Sequence, residues 1–142
     1  MGLFIVEVGT PAEIYEIELQ LQELSQQSPS AASLIQSLRN NPTDIFIKAS
    51  FTPNQYQPAM PCSAGVITYN PFSFAIGPQP WEVRPPEVGL AHELIHAYHD
   101  VTNTTSIYWL IEETNTVGLT GNSPYTENGV RGDYGLPQRP VY

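Results

Sequence analysis

The pentapeptide His92-Glu93-Leu94-Ile95-His96 holds the residues in this chain whose types and spacing are best suited to chemistry. Residues four apart on a helix share a face, so both imidazoles can reach one metal ion while Glu93 stands to its side. Neutral imidazole nitrogens bind zinc at about 2.0–2.1 Å, and one helical turn separates two rings by roughly the edge of a tetrahedron. A third protein ligand then leaves one position for water, whose pKa zinc lowers towards about 7. A carboxylate beside that water can take its proton and later hand it to a leaving amine, which is the role open to Glu93. The pattern is that of a zinc hydrolase, with Zn2+ as cofactor and His92 and His96 as metal ligands.

The elements that must position these groups are visible around them. Pro85-Pro86 ends an extended segment and Glu87 favours a helix N-terminus. Val88, Ala91, Leu94, Ile95 and Tyr98 supply apolar faces, so the helix is expected to be buried. His99 lies three residues past His96, but no Gly-x-x-His continuation follows, and it reads as a polar surface residue. The third ligand is expected from the run Trp109 to Gly118, in which an apolar stretch leads into Glu112-Glu113 and Gly118 is a natural stop. Such a second helix can dock on the first. One carboxylate would bind the metal and the other would orient a ligand, with Glu127 as a further candidate for the third ligand.

These residues resemble known proteins. His92-Glu93-Leu94-Ile95-His96, then Glu112-Glu113-x-x-Thr116-x-Gly118, then Arg139-Pro140-Val141-Tyr142, is similar to the active-site skeleton of clostridial neurotoxin light chains, which are gluzincin endopeptidases. In length and tail the chain resembles more closely the NleD-type family of bacterial effector and toxin metalloproteases. Tyr125 to Arg131 and Gly135 to Tyr142 look like that family's carboxy-terminal signature, and the similarity covers roughly residues 88 to 142. The resemblance implies that Glu113 is the third zinc ligand and that Glu112 steadies another group. It also implies that Arg139 and Tyr142 face the developing oxyanion, a role that guanidinium and phenol suit because both donate hydrogen bonds. Tyr142 can serve only if the tail is tied back into the cleft. Arg131 is an alternative oxyanion partner, or a structural partner of Glu127 or Asp133.

Composition narrows the class of partner. The 142 residues suit one domain, 1–142, of zincin-like metalloprotease type, and 41% hydrophobic content with 14 prolines suits a globular fold rich in turns. The formal charge is −9, which argues against nucleic-acid and anionic-membrane partners and leaves a basic or neutral protein or peptide substrate. A single cysteine, Cys62, excludes an internal disulfide and reads as a small, half-buried residue. The amino-terminal run Gly2 to Val8 has no basic region and reaches Glu7 too soon for a signal peptide, and no 18-residue apolar stretch occurs. Any export would then use a non-classical bacterial route, or the sequence is a piece of a larger chain.

Along the chain, Leu3 to Val8 reads as a strand, and Thr10 with Glu13 as a capping box opening a helix through about Gln27. Ser28-Pro29-Ser30 breaks it, and a shorter helix through Leu34, Ile35 and Leu38 ends near Asn40-Asn41-Pro42. Asp44 to Ser50 reads as a strand, Thr52 to Pro61 as polar loop, and Gly65 to Ile76 as two short strands or a bent edge strand. Pro71 favours an edge where an extended substrate can add itself as another strand. The expected fold class is α+β: a small mixed or mainly antiparallel sheet, backing helices, and the active-site helix beneath its edge. The expected activity is zinc-dependent endopeptidase cleavage of a protein, and the resemblance implies that it belongs to an effector or toxin. The alternatives are a non-catalytic zinc- or peptide-binding module, which a fourth ligand such as His99 would favour, and a small-amide hydrolase or deaminase.

Overall fold

The computed structural model describes residues 2–5 and 9–142. Helix α1 (Pro11–Gln27) starts where Thr10 and Glu13 satisfy each other's backbone: Glu13 N–H donates to Thr10 Oγ1 at 3.3 Å and Thr10 N–H to Glu13 Oε1 at 2.9 Å. Ser28 ends α1 and caps α2 (Pro29–Asn40) by accepting from Ala31 N–H at 3.0 Å. The apolar stripes Ile17, Leu21, Leu24 and Leu34, Ile35, Leu38 are buried together against the sheet.

The strands are β1 (Gly2–Ile5), β2 (Asp44–Ala49), β3 (Gln55–Gln57) and β4 (Gly65–Tyr69), in the order β1-β2-β4-β3. β1, β2 and β4 run parallel, and β3 runs antiparallel to β4 at the edge. The fold is thus α+β with a small mixed sheet. Parallel pairing of β1 with β2 follows from α1 and α2 forming the crossover between them. The expected first strand extends to Val8, but Val6 to Val8 lie outside the described residues. Ile45, Ile47, Ile67 and Tyr69 project from the sheet into the core, where they meet Leu90, Ala91, Leu94 and Ile95 of α3 (Pro86–Val101).

Two sequence expectations change here. The segment Gly65 to Ile76 is not an edge: β4 sits inside the sheet between β2 and β3 and stops at Tyr69, before Asn70-Pro71. Beyond it only an isolated Ala75–Val83 bridge forms. The edge beside β4 is β3, which lies within the segment read as loop because three residues between prolines carry no periodic signal.

Helix α4 (Trp109–Val117) ends at Gly118, whose φ of 99° places it in the left-handed region, and α5 (Glu127–Asp133) is capped by Thr126 Oγ1 accepting from Gly129 N–H at 3.0 Å. Both lie beside α3. Among the described residues, no helix is long and apolar enough to cross a membrane.

Candidate active site

His92 and Glu93 are buried on α3, and His96 follows one turn later, with the two imidazole centroids 4.9 Å apart. From α4, Glu113 completes a cluster of three ligand atoms lying within 4.8 Å of one another. His92 Nε2 is 3.2 Å from His96 Nε2 and 3.0 Å from Glu113 Oε2, which is 3.3 Å from His96 Nε2. Metal–ligand bonds of about 2.0–2.1 Å in tetrahedral array place ligand atoms about 3.3–3.4 Å apart. The donors therefore sit close to the spacing a tetrahedral ion requires.

The outward faces of the imidazoles complete the test of fit. His92 Nδ1 lies 2.9 Å from Glu127 Oε2, and His96 Nδ1 lies 3.0 Å from Glu112 Oε1. A carboxylate can only accept, so each Nδ1 carries a proton, and Nε2 is the nitrogen that would bind an ion, the ion taking the place of the proton it shares with Glu113. That is the tautomer a metal needs.

Electrostatics favours positive charge at the same point. Burial alone would lower the pKa of both histidines, but the hydrogen bonds to Glu113 and Glu127 raise that of His92, and those to Glu112 and Glu113 raise that of His96 to about 10. For the acids, burial alone would raise each carboxyl. Hydrogen bonds from His92 and His96 instead hold Glu113 down at about 2, and those from His96 and His99 hold Glu112 below the ordinary carboxylate range. Glu93 behaves differently: burial pushes its carboxyl up, against the pull of His92 and His96. Among the described residues no hydrogen bond ties up that carboxylate, which lines the cleft beside the metal donors.

Behind the donors stand two carboxylate hubs. Glu112 accepts from His96, from His99 Nδ1 at 2.7 Å and from Ser106 N–H at 3.0 Å, while His99 Nε2 pairs with Ser123 Oγ at 2.8 Å. His99 is therefore buried and fully engaged, not a surface residue, because Glu112 and Ser123 close over it from α4 and the following loop. Glu127 is fully buried and accepts from His92, Arg84, Arg131 Nε at 3.1 Å and Arg139 Nη1 at 3.0 Å. Burial would raise its carboxyl, but His92, Arg84 and Arg139 hold it below the ordinary range. Arg131 pairs with Glu127, whereas Asp133 accepts from Ser28 Oγ at 2.6 Å.

Sequence reading missed Arg84. Its one signal is its scarcity, as it is one of only five basic residues, three of which meet at Glu127.

The tail is tied back. Arg139 N–H donates to Asn128 Oδ1 at 2.7 Å, and its guanidinium stacks 5.6 Å from the Trp81 ring and 5.2 Å from that of Tyr142. Tyr142 in turn packs edge-on against Trp109, with centroids 5.2 Å apart. Cys62 lies elsewhere, exposed in the Met60–Ser63 turn rather than half-buried. Tyr142 lines two grooves of about 490 and 660 Å³ that share Asn54, His92 and Glu93. His92 and Glu93 stand where the two grooves meet, and His96 and Glu113 line the smaller of them.

An α+β fold with a His–His–Glu cluster and a carboxylate in such a cleft defines a candidate metallopeptidase. The family model Peptidase_M91, described as effector protein, matches residues 16–142, and the chain belongs to that family. No curated protein and no solved structure gives a match.

Proposed function

We propose that this chain is a zinc-dependent endopeptidase of the NleD type, a single zincin-like domain over residues 1–142 that cuts a protein substrate as a delivered effector or toxin. The observation that carries the reading is the convergence of His92 Nε2, His96 Nε2 and Glu113 at tetrahedral spacing, with Glu93 beside them where two grooves meet. Grooves on either side of Glu93 would give room to chain on both sides of a scissile bond, which suits an endopeptidase.

A zinc ion held by His92, His96 and Glu113 would supply a water made acidic enough to ionise near pH 7 and a Lewis acid for the scissile carbonyl. Glu93, with its carboxyl raised by burial, takes the water's proton and returns it to the leaving amine. Glu112 and Glu127 hold the two imidazoles by Nδ1. Tyr142 and Arg139 stand at the cleft with donors for negative charge developing on the carbonyl oxygen; Arg139 also balances Glu127. The substrate backbone would lie along the edge strand β3. Both ring nitrogens of His99 are taken by Glu112 and Ser123, which speaks against a fourth protein ligand and a purely structural zinc.

The test pairs metal analysis with mass spectrometry of fragments from host-cell lysate, comparing the intact protein with Glu93→Gln. Stoichiometric zinc in both proteins, with new peptide termini only for the intact one, is the expected result. Zinc-free protein, or identical fragments from both, would refute it.

A further inference from the structure

Asp100 lies one helical turn beyond His96, yet its carboxylate reaches the strand across the cleft. Oδ2 accepts from the Tyr56 hydroxyl at 2.6 Å and from Ala59 N–H at 2.9 Å. The strand so held, β3, has only three residues in register with β4, and Pro53 and Pro58 on either side donate no backbone hydrogen bond. Three residues are at the short end of strand length, so a tie from outside the ladder adds to what holds this edge. Gly65 on β4 leaves the space that Tyr56 needs, since a Cβ there would collide with the Tyr56 hydroxyl and Ile45. Burial, and then Asp100, push the pKa of the Tyr56 phenol up, which keeps it a donor. Gln55, Tyr56, Pro58 and Asp100 line the same groove as His92, Glu93 and His96.

We propose that Asp100 and Tyr56 are a positioning pair that fixes the height of the β3 edge above the metal donors, so that a peptide laid along β3 brings its carbonyl to the metal. The inference rests on the metallopeptidase reading above. Because Asp100 shares one rigid helix with His92 and His96, strand and donors are referenced to the same element. Slack in the pair would blur the placement of an extended peptide and leave the metal donors untouched.

The experiment measures binding of two probes to the zinc-loaded chain by calorimetry: acetohydroxamic acid, small enough to need only the metal and its neighbours, and a tripeptidyl hydroxamate that extends along β3. The intact protein should bind the longer probe more tightly. Asp100→Ala and Tyr56→Phe should each weaken the tripeptidyl hydroxamate on the order of tenfold, with zinc content and acetohydroxamate affinity unchanged. Asp100→Asn, which keeps an acceptor oxygen, should recover part of the loss. If Asp100→Ala does not fold, Tyr56→Phe alone decides. Equal weakening of both probes, weakening of neither, or equal affinity of the intact protein for the two would overturn the proposal. A wild-type chain that takes up no zinc would instead remove the metallopeptidase reading, and this inference with it.

Discussion

Replacing Glu93 by Gln keeps a side chain of the same length in the cleft but removes its capacity to carry a proton. Turnover should fall by on the order of 10²–10⁴ with bound zinc unchanged, as read by metal analysis alongside fragment mass spectrometry. Glu113→Ala removes a donor atom from the cluster, whereas Glu112→Ala releases only the far side of His96, so the first should lower zinc content more than the second. Equal zinc in the two variants would reverse the assignment. Glu127 gives a pH dependence of defined sign. Its carboxyl sits below the ordinary value of 4.5, so the stability it contributes is present above that pH and drains as pH falls towards the depressed folded value. Acid unfolding followed by circular dichroism should begin below about 4.5 and be shallower in Glu127→Gln. His92, Glu93, His96 and the Glu pair stand out in the sequence because helical periodicity is a local code. The Arg84–Glu127 contact escapes that code, since it spans 43 residues, and Glu127, read as a candidate third ligand, instead stands behind His92 at Nδ1.

Gly118 ends α4 with a φ of 99°, and a Cβ there would lie 2.9 Å from the Thr126 side chain just before α5. Gly118→Ala should therefore cost about 1–2 kcal/mol from the left-handed backbone alone, and more from the crowding, measurable as a lower urea midpoint with an unchanged slope. Zinc affinity should fall with it, because α4 carries Glu112 and Glu113. Helices α1 to α4 were readable from sequence because their ends are marked: Thr10 with Glu13, Ser28-Pro29, Pro85-Pro86 and Gly118 all stand at observed termini, whereas α5, only seven residues long, was not read. Strand order was not readable. β4 carries the proline-bounded pattern of an edge yet lies inside the sheet, while β3 hides in a polar segment, because pairing is decided by partners far along the chain. His99 looked solvent-exposed for a related reason: Glu112 and Ser123, which cover it, arrive 13 and 24 residues later.

With a formal charge of −9 and three of its five cations spent on Glu127, the molecule offers few positive groups to offset its own acidic exterior. Screening should relieve that self-repulsion, so the melting temperature should rise as neutral salt is added at neutral pH. A fall would show that the internal ion pairs are reached by solvent. The cluster around Glu127 also has a consequence in time. A chain emerging from its amino end presents the two histidines, Glu93 and Glu113 early, but the last guanidinium that balances the Glu127 carboxylate arrives only at position 139. A polypeptide still being synthesised holds its histidines before it holds the guanidinium that steadies the carboxylate gripping His92.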